Sequence, residues 1–187
     1  MTLIRHQHPP EAPRVTFQMV LRELRRRDFA VLSTADDQGR PHSVGVEYGV
    51  SPQGTAIYVM TRRHLRKARD IAANPRVSLV VPLTRRLLWF LPPPCIQFHG
   101  SAEILERDDS GGIATFETFF MGRRILRMYE DLERRGDTRT CFLRITPDPV
   151  ISTYMVGYSI WEVRRRMEIG VQKVEIPADY RRRSGSA

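Results

Sequence analysis

The sequence predicts a mainly β protein with peripheral helices (α+β), built as an antiparallel barrel of about six or seven strands. Runs of alternating apolar and polar residues recur along the chain, and Asp, Pro and Gly residues typical of turns separate them. Three helical patterns are inserted between groups of strands and do not alternate strictly with them, which disfavours a doubly wound parallel sheet. The length of 187 residues suits a single domain.

The N-terminal part of the chain predicts an arm followed by a helix. Residues 1–15 contain His-Pro-Pro and Ala-Pro, which prevent regular pairing, so we expect a flexible arm there and ordered structure from residue 16. Thr16 is a suitable N-cap for a short amphipathic helix. The apolar stripe of this helix comprises Phe17, Val20, Leu21 and Leu24.

A meander and a short helix follow. The segments FAVLST, SVGVEYGV and TAIYVMT predict three strands, and ADDQGRPH and SPQGT supply the turns between them. HLRKARDIAAN has helical spacing and ends at Asn74-Pro75, before the strand RVSLVV. Its inward positions are predicted to be Leu65, Ala68, Ile71 and Ala72.

The second half of the chain predicts a loop, a long strand, a helix and two further strands. Residues 83–94 are apolar and rich in proline, which favours a loop packed over the core or a partner. CIQFHGSAEIL predicts a long strand in which Gly100 permits a bulge. Residues 113–135 predict the longest helix, and Gly122 is the position at which this helix could be divided. TCFLRITPD and PVISTYMV predict strands. We place the barrel at 16–157 and a C-terminal tail at 158–187.

The charge of +9 comes mostly from arginine, because all but two of the 30 cationic residues are arginines scattered along the chain. This pattern favours a solvated basic surface over dedicated nucleic-acid binding.

Cys95 and Cys141 are too far apart for a zinc motif, and His6 and His8 lie in the arm, so no metal site is expected. The N-terminus lacks the apolar core of a signal peptide, and no segment predicts a membrane span. We expect a cytoplasmic protein.

The junction from Met60 to Ala68 is the strongest candidate for an anion site. It combines Thr61, backbone N–H groups near a helix N-terminus, Arg66 and Lys67, which are the groups that bind a phosphate. An exposed basic helix start accounts for the same residues equally well. The signatures of nucleotide-binding loops, zinc proteases and serine hydrolases are absent from the sequence.

Five segments occur along the chain in this order: FAVLSTADDQGRPHSVGVEYG, AIYVMT, RKARDIAANPRVSLVV, IQFHGSAEIL and FLRITPD. Together they resemble the pyridoxamine 5'-phosphate oxidase-like superfamily of flavin-binding split β-barrels. The branches of this superfamily include deazaflavin-dependent oxidoreductases. The resemblance covers about Phe29 to Pro147. It implies a homodimer with flavin-type cofactors in two grooves at the subunit interface. The tail at 158–187 is then expected either to pack on the dimer or to be solvated.

The resemblance also implies a set of cofactor-binding residues. Thr61, Arg66 and Lys67 match positions that hold the phosphate end of the cofactor, and Met60 matches the position before that threonine. The strand whose backbone lies along the flavin ring matches Ser43, Val44, Gly45 and Val46. A glycine within a strand is otherwise a packing defect, so this role gives a reason for Gly45.

Several positions depart from pyridoxamine phosphate oxidases proper. Those enzymes carry an arginine at the position of Ser43 and a glutamine that contacts the flavin at the position of Cys95. Their lysine that binds the substrate phosphate aligns near Tyr48. Their arginine-rich C-terminal substrate motif is not recognisable either. We therefore do not expect vitamin B6 oxidation.

FMN is the first expectation for the cofactor, with the deazaflavin coenzyme (coenzyme F-420) and then haem as alternatives. The acidic tail of a deazaflavin could be bound by Arg62, Arg63 and Arg69, which could equally be a solvated helix face.

The resulting functional hypothesis is hydride transfer between FMN and an unidentified small-molecule acceptor, with no side chain assigned as catalytic. Weak candidates for the substrate side are the aromatic residues Tyr48, Trp89, Phe90 and Trp161, each with core or dimer packing as the alternative. The competing hypotheses are a deazaflavin-dependent reductase and a non-enzymatic flavin- or haem-binding protein.

Overall fold

A computed structural model describes residues 15–54, 56–83, 93–157 and 170–183 of the chain. The described elements in chain order are α1 (Phe17–Arg25), β1 (Phe29–Ala35), β2 (Pro41–Glu47), β3 (Gly49–Val50), β4 (Ile57–Arg62), α2 (Arg66–Ala73), β5 (Arg76–Pro82), β6 (Cys95–Leu105), α3 (Ser110–Glu117), α4 (Phe120–Arg134), β7 (Thr140–Tyr154), β8 (Val171–Glu175) and α5 (Ala178–Arg183).

The eight described strands form one antiparallel sheet that curls into a split barrel. Its order is β2-β1-β5-β6-β7-β4-β3, and β8 pairs with β7 beside this path. The curl brings Cα atoms of β2 and β4 within 8 Å of each other, although the two strands are not hydrogen-bonded neighbours. The predicted antiparallel barrel with peripheral helices is therefore confirmed, although the sheet has eight described strands where six or seven were predicted.

The main core fills the inside of the curl. Its fully buried members include Leu32, Leu79 and Phe98, which alternate with exposed or half-buried residues along their strands, together with Leu143 and Ile145 of β7. Helix α1 closes one end of this core. The Thr16 hydroxyl accepts a hydrogen bond from the Met19 N–H (3.3 Å), and the four predicted stripe residues of α1 are buried, so both predictions for this helix are confirmed.

A second, smaller cluster lies on the opposite face of β4 and β7, beneath α3 and α4. Phe116 of α3 packs edge-on against Phe142 of β7, with ring centroids 5.5 Å apart. A side chain at Gly112 would place its Cβ 2.6 Å from the Phe142 ring, so glycine is what allows α3 to approach β7 so closely. The two faces of β4 and β7 thus belong to two different hydrophobic clusters.

The second half of the chain differs from the sequence prediction in how its elements are divided. Residues 113–135 do not form one helix, because α3 ends at Glu117 and α4 begins at Phe120, and Gly122 lies inside α4. The two strands predicted after it are one strand, β7. The bulge predicted at Gly100 is confirmed, since the β6–β7 register shifts between Phe98 and Gly100, and a Cβ at Gly100 would lie 2.3 Å from the Thr146 carbonyl oxygen.

The boundaries predicted at the two ends of the barrel also change. Val15, placed in the flexible arm, is buried. The described part of the segment 158–187 is not a separate tail, because β8 extends the sheet next to β7 and α5 packs on α1. Phe17 and Tyr180 have ring centroids 4.9 Å apart, and Val174 is buried. The physical reason is the free edge of the C-terminal half of β7, which β8 pairs.

None of the helices in the described ranges is both long and apolar enough to cross a bilayer.

Candidate cofactor site

The candidate phosphate site lies where β4 runs into helix α2. Thr61, near the end of β4, is 2% exposed and pairs in register with Cys141 of β7. Because side chains alternate along a strand, Thr61 shares the face of Val59, which belongs to the main core, whereas Met60 faces the smaller cluster. At the predicted site the Thr61 side chain is therefore buried on the barrel side, and Met60 contributes only its backbone.

Lys67 carries a positive charge that no described carboxylate balances. Its side chain is half-buried, and loss of water lowers the pKa of its ammonium group below the usual value for lysine. The titratable group that acts on this pKa is the thiol of Cys141, whose own pKa is raised by burial and which is therefore neutral at pH 7. No carboxylate in the described ranges lies within ion-pair distance of Lys67. A bound anion would stabilise its charged form.

Arg66 is oriented by a buried carboxylate on its own helix. Its Nε atom lies 3.8 Å from Oδ2 of Asp70, one turn further along α2. Asp70 is 5% exposed, and the same oxygen accepts a hydrogen bond from the Thr34 hydroxyl of β1 at 2.7 Å. Thr34 in turn pairs with His42 of β2. This chain of contacts ties the start of α2 to the β1–β2 hairpin, and so to the predicted ring-binding strand.

The predicted ring-binding residues lie on β2, an edge strand of the sheet as described. Val44 and Val46 face the core, whereas Ser43 and Gly45 face outwards. The hydroxyl groups of Ser43 and Ser33 are 2.8 Å apart, within hydrogen-bond distance. A Cβ on Gly45 would lie 2.8 Å from the Phe29 ring, so the absent side chain leaves room for that ring.

The geometry partly assembles the predicted site. Backbone groups along the outer edge of β2 have no strand partner in the described sheet and are available to a ligand. The close approach of β2 to β4 brings this edge strand near the strand that carries Thr61. The residues that fit a phosphate, Thr61, Arg66 and Lys67, therefore lie at one end of the gap between β2 and β4.

The substrate-side candidates are not brought to this gap. Tyr48 is fully buried, its hydroxyl donates to the Leu24 carbonyl at 2.8 Å, and burial raises its pKa far above the usual value. It is a core residue, which was the alternative interpretation of its aromatic side chain. Trp89, Phe90 and Trp161 lie outside the described residues.

Two of the basic residues considered for an acidic tail are engaged elsewhere. Arg62 lies 3.5 Å from the carboxylate of Asp137, and Arg63 lies 2.5 Å from that of Glu106. The pKa of Asp137 is held far below its usual range, chiefly by Arg139 and further by Arg62. Arg69 instead faces a cleft that it shares with Arg40, a residue that sequence reasoning did not select.

Sequence reasoning also missed Asp70 and Thr34, which position Arg66. The helical pattern assigned the inward positions of α2 to apolar residues, including Leu65 and Ala72, but these two are exposed and Asp70 is buried. A buried aspartate in a short basic helix is visible only once its hydroxyl partner on β1 is known. Within the described ranges, no group of three His, Cys, Asp or Glu side chains is placed to hold a metal ion.

Residues 18–154 match the family model for pyridoxamine 5'-phosphate oxidase. The chain belongs to this family. The match spans well over half of the sequence and includes every strand of the described sheet except β8. No curated protein matches the sequence.

Solved structures with the same fold include proteins with different recorded roles. HutZ, the haem storage protein from Vibrio cholerae, is 22% identical, with a TM-score of 0.57 over 73% of this chain and 94% of that one. A haem-binding protein from Mycobacterium smegmatis is 14% identical, with a TM-score of 0.59 over 87% of this chain and 59% of that one. General Stress Protein 26 from Bacillus anthracis is 23% identical, with a TM-score of 0.50 over 73% and 91%. At these identities the likeness concerns the fold.

Proposed function

We propose that this member of the pyridoxamine 5'-phosphate oxidase family is a flavin-binding oxidoreductase whose β4–α2 junction holds the phosphate of FMN. The observation that carries the proposal is the half-buried Lys67, which lacks a carboxylate partner among the described residues and lies one position after Arg66. A half-buried cation without a counter-charge is costly, and a phosphate would supply the missing charge. The Thr61 hydroxyl would add a neutral hydrogen bond.

The ring of the cofactor would lie along the free edge of β2. Ser43, Gly45 and the backbone of Val44 and Val46 present small groups and peptide N–H and C=O groups there. When bound, FMN would supply hydride transfer to or from a small acceptor. The protein would bind the phosphate, orient the ring and shield it from water, and no side chain needs to react.

The same proposal includes a homodimer that covers the outer face of the sheet. This face carries exposed apolar side chains at several strands, including Phe29 (46% exposed), Tyr154 (38%) and Val171 (56%). Between them the small residues Ser33 and Ser78 pair in register on β1 and β5. An exposed apolar surface of this kind suits a second copy of the chain. Light scattering after size exclusion is expected to give about twice the mass of 21.7 kDa.

The first experiment is the absorbance spectrum of the freshly purified protein, followed by titration with FMN and with the deazaflavin coenzyme. We expect a flavin-type spectrum or saturable quenching of tryptophan fluorescence, then reduction of the bound cofactor by NAD(P)H or reoxidation by an added acceptor. Binding without either reaction would leave a flavin-carrying protein and contradict the oxidoreductase. We expect no conversion of pyridoxamine phosphate, because Ser43 and Tyr48 replace the charged residues of those enzymes.

Haem binding is the second candidate. The specific observation is His99, an exposed imidazole at the β6 bulge, on the outer face of the sheet and opposite Ser78. An accessible neutral imidazole is a common axial ligand of haem iron. Under this candidate, added haemin gives a sharp Soret band that is lost in His99→Ala, whereas FMN gives no saturable response. An unchanged Soret band in His99→Ala would remove this residue from the haem site.

A further inference from the structure

A small cavity lies beside helix α1, away from the β4–α2 junction. Its volume is about 270 Å³, and its walls come from α1 and the turn after it, from Leu83 and Pro94 beside β5 and β6, and from residues 155–157 after β7. We call it the α1 pocket. It shares no lining residue with the candidate phosphate site, so what is inferred from it does not depend on flavin binding.

The α1 side of this pocket has an excess of positive charge. Arg22, Arg26 and Arg27 line it, and Glu23 is the only acidic side chain among its described lining residues. The Glu23 carboxylate is shared, because it lies 3.5 Å from a terminal nitrogen of Arg26 and 3.5 Å from one of Arg27. No carboxylate in the described ranges lies within ion-pair distance of Arg22. Three guanidinium groups therefore face one carboxylate.

Arg27 also holds a buried N–H donor without an acceptor. Its Nε atom is buried and has no hydrogen-bond partner in the described structure, although a terminal nitrogen of the same guanidinium reaches Glu23. Buried donors are nearly always paired, and an unpaired donor on a charged group is costly. An oxygen atom of a bound molecule would supply the missing acceptor.

The other wall of the pocket is apolar and includes a strained residue. Leu83, Met155 and Val156 are buried there. Met155 has a φ of +54°, in the left-handed region, and no other non-glycine residue in the described ranges has a positive φ. Such a conformation is unfavourable for a residue with a side chain, and strained residues of this kind concentrate at binding sites. Met19 adds a second thioether to the lining, and thioethers make favourable contacts with aromatic rings.

We propose that the α1 pocket binds a compact aromatic carboxylic acid, with its carboxylate at the arginines and its ring against the apolar wall. A volume of about 270 Å³ is roughly nine times the share of one water molecule in the liquid, so the ligand has about nine non-hydrogen atoms. The paired N–H donors of a guanidinium match the two oxygens of a carboxylate. A free phosphate would leave the apolar wall unused, and a neutral ring compound would leave the arginines without a counter-charge.

The test is calorimetric titration of the full chain with benzoate, benzamide, acetate and inorganic phosphate. Benzoate has the size that the cavity allows, and benzamide has the same size without the charge. Acetate keeps the carboxylate but lacks the ring. We expect saturable binding of benzoate, at least about tenfold tighter than that of the other three compounds. Absence of saturable benzoate binding, or equal affinity for benzoate and benzamide, would overturn the proposal.

Two arginine variants locate the binding. Arg22→Gln/Arg27→Gln should weaken benzoate binding by about tenfold or more. Arg25→Gln is the matched control, because Arg25 lies on the same helix but donates to the Pro52 carbonyl (2.7 Å) and lines the neighbouring groove beside Tyr48, which Arg27 also borders. Its benzoate affinity should stay within about twofold. Equal losses in the two proteins would place benzoate in that groove and contradict the assignment to the α1 pocket.

Arg27→Met separates a binding role of the guanidinium from a structural one. The substitution removes the unpaired buried donor and keeps an unbranched apolar side chain, so we expect an unchanged or higher melting temperature together with weaker benzoate binding. A large drop in melting temperature would show that the guanidinium stabilises the fold and would contradict its assignment to a ligand. Unchanged benzoate affinity in this variant would also contradict it.

Discussion

The cationic side chains before and after the first residue of α2 differ in whether a carboxylate lies next to them. Arg62 and Arg63, before the helix, each contact a carboxylate from the segments around β6 and β7. Arg66 shares the buried Asp70 with Thr34, and Lys67 has no carboxylate partner among the described residues. The sequence shows one continuous basic run here. The fold divides it into charges that stabilise the protein and charges that remain available to a ligand.

The largest expected effect follows from removing the unbalanced cation. Lys67→Ala should weaken FMN binding by about 1.5–3 kcal/mol, or roughly 10- to 150-fold, because a charge-assisted hydrogen bond to phosphate is lost. Fluorescence titration measures this loss. The matched control is Lys173→Ala, which removes the only other lysine, an exposed residue on β8. Equal affinity of Lys67→Ala and the unmodified chain would place Lys67 outside the site.

The second effect concerns the buried carboxylate that holds Arg66. Asp70→Ala leaves the Thr34 hydroxyl, 3% exposed, without its acceptor, and we expect a loss of about 1–3 kcal/mol in the free energy of unfolding. Urea denaturation measures it. Asp70→Asn is the matched variant, since its amide oxygen still accepts the Thr34 hydrogen bond, and its loss should be smaller. If the two variants lose the same stability, the hydrogen bond is not the source of the effect.

The third prediction uses the pH dependence of cofactor affinity. Burial lowers the pKa of Lys67, so its positive charge is present at low pH and is lost as the pH rises, earlier than for an exposed lysine. FMN affinity should therefore fall in the alkaline range, by at most about tenfold per pH unit. Lys67→Arg should flatten this fall, because a guanidinium stays charged. Parallel pH profiles for the lysine and arginine proteins would assign the titration to another group.

The smallest effect on FMN affinity is expected for Arg62 and Arg63, the two arginines that form ion pairs. Arg62→Gln and Arg63→Gln each remove one partly exposed ion pair, which contributes about 0–1 kcal/mol to stability. FMN affinity should stay within about twofold of the unmodified chain. A loss as large as that of Lys67→Ala would show that the two sides of the α2 start act as one site.

Much of the fold could be predicted from local patterns. The N-cap and buried stripe of α1, the antiparallel barrel and the bulge at Gly100 all follow from capping chemistry, periodicity and the space that only glycine leaves. Local patterns did not predict where residues 113–135 divide into α3 and α4. Gly122 marked the expected break, but it lies within α4, where a Cβ would come 2.2 Å from the Phe116 carbonyl oxygen, so packing and not flexibility explains it.

The sequence by itself determined the chemistry of the candidate site: a threonine, an arginine and a lysine around a strand-to-helix junction, followed by a short basic helix. The tertiary structure decided which of the neighbouring charges remain available. Asp70 is buried because a hydroxyl on β1 meets it, Tyr48 belongs to the core because it reaches the Leu24 carbonyl, and Arg40 joins Arg69 because the hairpin folds towards α2. Each of these outcomes depends on a partner distant in sequence, and local periodicity carries no information about such a partner.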